Sequence, residues 1–148
     1  DNMWLGGFPT VARGLPFTSE KKMYQATKEL FDRLGVNVDP RTVMSKMPVS
    51  QRQMVEIAKA VSYNAKVIVF DEPTSGLDYD SMEQVSGLIR ELSKDKVIFV
   101  VTHDYEFVCQ TCTRLIRFDH HTMTNDILLS QENEATILSL MGLGRDER

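Results

Sequence analysis

An apolar segment that ends in two adjacent carboxylates constrains the fold of this chain more than any other feature. Residues 67–78 read VIVFDEPTSGLD, so Asp71 and Glu72 directly follow four apolar residues. Carboxylates side by side repel one another, and an ordinary strand end rarely carries them. We therefore expect this strand to bring the pair to a cation, or to a proton that one of them accepts.

The segment around these carboxylates has the order strand, helix, strand. VIFVV at residues 97–101 is a second apolar strand. Apolar residues at helical spacing separate the two strands: Met82, Val85, Leu88, Ile89 and Leu92. Such a unit crosses over right-handedly and makes its strands parallel. Both strands are apolar at every position, which predicts an α/β fold with helices on both faces of the sheet.

The ends of the two strands are expected to share one crevice. Ligands of open α/β sheets bind beyond the carboxyl ends of the strands. Asp71 and Glu72 end the first strand, and His103 follows the second. In that crevice Asp71 can hold Mg²⁺ through water, Glu72 can deprotonate an attacking water, and His103 can contact a phosphate. The simpler interpretation is that the acids only cap the next helix and that His103 is a hydrogen-bonded core residue.

A small helical unit is predicted ahead of this core. Thr18 or Ser19 is typical of a cap for a helix that Gly35 ends. Asp39-Pro40 resembles a cap followed by proline at the first helical position. A further amphipathic helix covers QRQMVEIAKAV at residues 51–61. We expect a helical subdomain with this helix at residues 1–65, and an α/β core at residues 66–148.

Three further elements are predicted within the core. Asp80 and Glu83, three positions apart, indicate a variant capping box for the helix after the GLD turn. Residues 114–118 and 127–129 are interpreted as strands of a hairpin joined through the intervening DHHTMTND segment. A last helix is expected over residues 131–141.

Chain length, net charge, apolar runs and cysteine content exclude some kinds of protein. A chain of 148 residues suits one domain, and its net charge of −4 argues against a nucleic-acid partner. No apolar run approaches the roughly 20 residues that span a bilayer, and no signal-like segment opens the chain. The two cysteines, Cys109 and Cys112, lack a second pair for zinc, so we expect two buried or half-buried thiols and a reducing cytoplasm.

Several motifs together resemble the ATPases of ATP-binding-cassette (ABC) transporters. VIVFDEPTSGLD is similar to their Walker B strand and D-loop, and VIFVVTHD to their switch-histidine segment. MPVSQRQMVEIAKAV, at residues 47–61, stands where the family has its LSGGQ signature and the helix behind it. The first half of the chain resembles ATPases of simple-sugar importers of the galactose and ribose type. From about Thr74 onward it resembles ATPases of energy-coupling-factor vitamin importers.

The resemblance implies a part of a P-loop NTPase-like parallel sheet that binds ATP and Mg²⁺. It assigns the metal to Asp71, catalysis to Glu72 as base and His103 as switch, and the dimer contact to Asp78. Val49, Ser50 and Gln51 would face the nucleotide of a second nucleotide-binding domain. The implied partners are that domain and an integral membrane permease, with the ATPase on the cytoplasmic face of the membrane. Trp4, Leu5 and Phe8 are candidates for the permease contact.

Two departures from the family pattern limit this interpretation. No part of the sequence matches GxxxxGK[ST], the loop whose amides and lysine hold phosphates. We therefore expect no Mg²⁺-dependent ATP turnover from this chain alone. Pro48 stands where LSGGQ has its serine, and proline offers neither a hydroxyl nor an amide hydrogen. This change predicts a weakened nucleotide contact.

Three functions remain open from the sequence. The first is an ATP-hydrolysing segment of an importer, for a sugar or alternatively for a vitamin. The second is a truncated or recombined module that dimerises or docks without hydrolysis. The third, a metal-dependent hydrolase outside any ATPase context, is disfavoured by the DEPTSGLD turn.

Overall fold

The computed structural model describes residues 19–143. The helices and strands follow one another as α1 (Glu20–Leu34), α2 (Val49–Ser62), β1 (Val67–Asp71), α3 (Tyr79–Leu92), β2 (Val97–Val101), α4 (Tyr105–Thr111), β3 (Arg114–Asp119), β4 (Thr122–Leu128) and α5 (Glu134–Leu140). Short 3-10 turns precede α2 and α5, at Met44–Lys46 and Leu129–Gln131. Within this part of the chain, no helix combines the length and apolar character needed to cross a membrane.

The β1–α3–β2 unit confirms the predicted α/β fold. β1 and β2 are adjacent and parallel, with Val67 opposite Val97 and Asp71 opposite Val101. All five apolar residues of the α3 stripe are buried. They form one hydrophobic cluster with Ile68 and Phe70 of β1 and with Ile57 and Ala58 of α2. This packing fixes both strands and hence the positions of the residues that follow them.

Helices cover only one face of this sheet in the described residues, so the expectation of two covered faces is wrong for them. Burial alternates along β1: Ile68 is 6% exposed, whereas its neighbour Val69 is 63% exposed. The same alternation continues in β2, where Val97 and Val101 are exposed. An apolar residue at every strand position predicts that both faces can be buried, but it does not say what buries them.

α1 begins and ends where the sequence predicts, but the segment after it does not form the predicted second helix. The Ser19 side chain accepts a hydrogen bond from the Lys22 amide, and Gly35 ends the helix with φ +68°. Asp39-Pro40 begins a turn and not a helix, because the Asp39 carboxylate accepts from the Arg41 amide at 2.9 Å. This local bond satisfies the backbone without helical hydrogen bonding.

The cap of α3 also differs from the prediction. Asp78 is the N-cap, and its carboxylate accepts from the Ser81 amide at 2.8 Å. Asp80 lies inside the first turn, so the predicted Asp80–Glu83 capping box is wrong. The helix begins two residues earlier than that pattern indicates, directly after the GLD turn.

The C-terminal hairpin and the last helix are confirmed in kind but not in extent. β3 and β4 are antiparallel, and His120 and His121 form the turn with φ +45° and +64°. The connection is therefore much shorter than the predicted DHHTMTND loop, since β4 already begins at Thr122. The last helix starts at Glu134, where Asn133 caps it, instead of at residue 131.

The predicted division at residues 65 and 66 stays a prediction. Trp4, Leu5 and Phe8, the candidates for a permease contact, lie outside the described residues.

Candidate functional site at the strand ends

Glu72 and His103 meet directly at the carboxyl ends of β1 and β2. The His103 Nδ1 atom lies 2.8 Å from Glu72 Oε1, although the two residues are 31 positions apart in the chain. The Glu72 amide donates to the Val101 carbonyl at 2.8 Å, which continues the strand ladder by one residue. The parallel register of β1 and β2 therefore places the carboxylate beside the imidazole.

The other oxygen of the Glu72 carboxylate also has a partner. Thr102 donates its hydroxyl to Glu72 Oε2 at 3.2 Å, and the same hydroxyl oxygen accepts from the Asp104 amide at 3.2 Å. The carboxylate is thus held from two sides by consecutive residues. The sequence did not indicate the Thr102 contact, because a hydroxyl one position before the histidine forms no distinctive motif.

Glu72 has an unusual backbone conformation for a residue with a side chain. Its φ is +45°, in the left-handed region that favours glycine. The chain turns sharply here, and the Ser75 amide donates to the Glu72 carbonyl at 3.1 Å. Strained non-glycine residues cluster at functional sites, where surrounding contacts hold them in place.

A second link joins the two strand ends behind the acid–imidazole pair. The buried Thr74 donates its hydroxyl to Asp104 Oδ2 at 3.1 Å. The other Asp104 oxygen accepts from the Phe107 amide at 3.0 Å and caps α4. Phe107 is fully buried. His103 therefore precedes a helix that the core anchors, and its backbone position is fixed.

The contact with Glu72 changes the proton affinity of His103. The hydrogen bond and the negative charge of Glu72 raise the pKa of the imidazole, with a smaller contribution from Asp104. The ring is 83% exposed, and within residues 19–143 its Nε2 atom has no hydrogen bond. His103 can therefore hold Glu72 through Nδ1 and offer Nε2 to a ligand.

Asp71 is available as an oxygen ligand. Its side chain is exposed and makes no hydrogen bond or ion pair with the described residues. No group of three or more histidine, cysteine or acidic residues in residues 19–143 forms a metal cage. One or two carboxylates with several waters suit Mg²⁺, which often takes its remaining ligands from phosphates. The exposed Asp71 carboxylate at the end of β1 therefore suits Mg²⁺ as a ligand.

The start of α2 approaches the turn that follows Glu72. Val49 is the first residue of α2, behind Pro48, whose side chain makes no capping bond. A Cβ atom on Gly76 would lie 4.0 Å from Val49 Cγ1, so the turn and the helix start are neighbours. The first amides of α2, at Val49, Ser50 and Gln51, lack intrahelical partners and form a positive helix end.

Asp78 has a structural role in addition to the predicted dimer contact. As the cap of α3 it accepts a hydrogen bond from the Ser81 amide, and hydrogen bonding with the side chain and backbone of Ser81 lowers the pKa of the Asp78 carboxyl. The carboxylate is exposed and stays charged at neutral pH.

The chain is similar in sequence to import ATP-binding proteins and in fold to solved proteins of ABC transporters. The galactose/methyl galactoside import ATP-binding protein of Treponema denticola is 40% identical over the whole chain, and that of Escherichia coli K12 is 37% identical. The dimeric cassette MJ0796 matches 80% of the chain with a TM-score of 0.64 and 24% identity. The protein cbiO1 from Clostridium perfringens, part of the ABC transporter complex cbiONQ, matches 82% with a TM-score of 0.66 and 23% identity. No protein-family model matches the chain.

The chain matches only a segment of each of these proteins. It spans 30% of the length of the T. denticola relative and 29% of the E. coli one. Its matches cover 51% of the MJ0796 chain and 48% of the cbiO1 chain. These matches confirm the predicted resemblance of this chain to the ATPases of ABC transporters.

The two cysteines are free thiols with different surroundings. Cys112 is partly buried, and burial raises its pKa. Cys109 is exposed, so the expectation of two buried or half-buried thiols is wrong for it. α4 turns Phe107 and Val108 into the core and leaves Cys109 outside, where its hydrogen bond with Tyr105 raises the tyrosine pKa to about 12.

Proposed function

We propose that this chain is the part of an ABC-type importer ATPase that carries the catalytic base. The observation that carries the proposal is the 2.8 Å contact between Glu72 and His103 at the ends of adjacent parallel strands. A carboxylate and an imidazole in one solvent-accessible crevice can together orient a water and contact a phosphate. The import ATP-binding proteins that match the whole chain support the same assignment.

Each site residue has a distinct task in this proposal. Glu72 orients and deprotonates the attacking water, while Thr102 and His103 fix the direction of its carboxylate. His103 offers its Nε2 atom to the terminal phosphate of ATP. Asp71 holds Mg²⁺ through water. When bound, the metal supplies positive charge that stabilises the transferring phosphoryl group.

The nucleotide is proposed to lie between two cassettes. MJ0796 is described as a dimer, and also in a post-hydrolysis state bound to ADP and Pi, with 25% identity to this chain. Val49, Ser50 and Gln51 would direct the positive end of α2 at the partner's nucleotide, and Asp78 would order the dimer contact. A separate membrane permease would use the closure of the dimer, on the cytoplasmic face of the membrane.

A simple sugar is the proposed transported solute. The matching relatives are named for galactose and methyl galactoside import, with identities of 37–40% over the whole chain. A vitamin importer of the energy-coupling-factor type is the alternative, which rests on the resemblance of the residues from Thr74 onward.

A grafted cassette tests the hydrolytic function. Residues 1–148 replace the matched 151-residue segment of the T. denticola relative. We expect Mg²⁺-dependent ATP turnover, and a loss of about 100-fold or more in Glu72→Gln, since general-base catalysis contributes about that much. ATP binding should persist in this variant. Glu83→Gln, an exposed carboxylate on α3, is the matched control and should leave turnover unchanged.

Equal turnover in the graft and in its Glu72→Gln variant would contradict the proposed base. The second candidate is a non-hydrolysing module that only dimerises or docks. The two differ in the DNA just upstream of this coding sequence, where an in-frame GxxxxGK[ST] favours the enzyme. Mg²⁺-dependent turnover by residues 1–148 alone, abolished by Glu72→Gln, would show that these residues hydrolyse ATP without a GxxxxGK[ST] loop.

A further inference from the structure

The two cysteines lie at the end of α4 and differ in exposure. Cys109 is exposed in the last turn of the helix, and the partly buried Cys112 is the C-cap. The Cys112 amide donates to the Val108 carbonyl at 2.9 Å, so the backbone keeps its helical path up to Cys112. One helical turn therefore presents an exposed thiol three positions before a partly buried one.

This spacing allows the two sulfur atoms to form a bond. Residues three apart on a helix lie on the same face, with Cβ atoms about 5–6 Å apart. A disulfide needs Cβ atoms about 3.5–4.5 Å apart. Cys112 has already left the helical conformation, with ψ +152°, so its side chain can approach Cys109. A bond made with such an adjustment is strained, and strained or exposed disulfides are the ones that are readily reduced.

The surroundings of the two thiols suit them to different steps. The hydrogen bond with Cys109 raises the pKa of Tyr105 to about 12, so the tyrosine hydroxyl stays protonated and donates to the sulfur. A donor at sulfur favours the thiolate, which is the form that attacks disulfides. Burial raises the pKa of Cys112, with a smaller contribution from Cys109. Cys109 is therefore suited to attack first, and Cys112 to react second.

The side chains between the cysteines offer little resistance to this adjustment. Gln110 Oε1 and Thr111 Oγ1 are buried, yet neither atom has a hydrogen-bond partner within residues 19–143. A shift of these oxygen atoms therefore breaks no hydrogen bond in that part of the chain, and it can relieve the cost of their burial. The Gln110 carbonyl, by contrast, accepts from Arg90 Nη1 at 2.9 Å, which holds the backbone against α3.

We propose that Cys109 and Cys112 form a reversible thiol–disulfide site that reacts with small-molecule disulfides such as oxidised glutathione. The Cys109 thiolate attacks one sulfur of the small disulfide, which forms a mixed disulfide and releases one thiolate. The Cys112 thiol then loses its proton and attacks the Cys109 sulfur, which releases the second thiolate as the internal disulfide forms. The two protein thiols are oxidised, the small disulfide is reduced, and the two released thiolates take up the two protons.

Exchange with glutathione tests the site. Residues 1–148 are equilibrated in mixtures of reduced and oxidised glutathione, quenched with acid, alkylated and measured by intact-protein mass spectrometry. We expect both thiols to disappear together, with one internal disulfide and no retained glutathione, and to return together on reduction. Two glutathione adducts on one chain, a disulfide between two chains, or thiols that stay reduced in excess oxidised glutathione would overturn the inference.

Single serine variants separate the two steps. Cys112→Ser should stop at one glutathione adduct on Cys109. Cys109→Ser, the matched control, should react with oxidised glutathione at least about tenfold more slowly, because burial limits both access to Cys112 and its ionisation. Equal rates for the two variants would contradict the assigned order of attack. Neither assay contains nucleotide, so the results are independent of the proposed role of Glu72 in ATP hydrolysis.

Discussion

At the residue scale, Glu72 combines an unfavourable backbone conformation with a side chain held from two sides. Its φ of +45° lies where residues other than glycine are strained, and its carboxylate contacts Thr102 and His103. A residue chosen only for stability at this turn would be glycine. The glutamate at this position therefore supports the proposed role of its carboxylate.

Replacement of Glu72 by two small residues measures this strain. Glu72→Gly and Glu72→Ala both remove the carboxylate, but only glycine tolerates the left-handed backbone without cost. We expect the glycine variant to be more stable than the alanine variant by about 1 kcal/mol. Urea unfolding of both variants measures the difference. An alanine variant at least as stable as the glycine variant would show that the turn stores no strain.

The sequence predicted which residues meet at this scale, but not how they are held. Glu72 and His103 were found because carboxylates at one strand end and a histidine at the next follow from strand order. The backbone angle of Glu72 and the hydroxyl contact of Thr102 depend on the exact path of the turn. No residue pattern predicts that backbone angle or that contact.

At the element scale, one partly buried hydrogen bond joins the turn after β1 to the start of α4. Thr74 and Asp104 are 30 positions apart, and their 3.1 Å contact joins the two segments that carry Glu72 and His103. The interaction also orients the carboxylate that caps α4. It therefore supports the site without touching its reactive groups.

Thr74→Val removes this bond while it preserves the shape of the side chain. Because the acceptor is a carboxylate at a partly buried position, we expect a loss of about 1–2 kcal/mol in the free energy of unfolding. Thr74→Ser keeps the hydroxyl and is the matched control, with a smaller loss. Denaturant unfolding of the three proteins gives the comparison. A valine variant as stable as the serine variant would contradict the proposed link.

Local hydrogen bonding explains where element boundaries departed from prediction. Asp78 and Asp80 are both acceptable caps by residue type, and the path of the GLD turn decides for Asp78. Asp39 satisfies the backbone in a turn, although Asp-Pro is typical of a helix start. Helices with long apolar stripes, such as α3, were predicted reliably because packing determines them.

At the scale of the whole molecule, one hydrophobic cluster holds β1 and β2 side by side, and this packing creates the acid–imidazole contact. Sequence periodicity predicted the α/β architecture, since apolar strands and an apolar helical stripe admit few other arrangements. It did not predict that one face of the β1–β2 sheet, with Val69 and Phe99, is exposed in the described residues. A strand with an apolar residue at every position has the same sequence pattern whether its second face is covered or exposed. The same fold gives His103 a raised pKa that the unfolded chain lacks.

This difference has a defined effect on stability. The folded state binds the His103 proton more tightly than the unfolded chain does. The Glu72–His103 contact therefore stabilises the fold fully below the ordinary pKa of histidine. That contribution is lost as the pH rises through the raised pKa.

The pH titration of the His103 ring by NMR tests the central claim most directly. The signal is assigned from its loss in His103→Gln and is followed in the native chain and in urea. The pKa should be higher in the native chain than in urea, and Glu72→Gln should lower the native value toward the ordinary one, whereas Asp71→Asn should change it little. A native His103 pKa that is the same with Glu72 and with glutamine would contradict the shared site at the ends of β1 and β2.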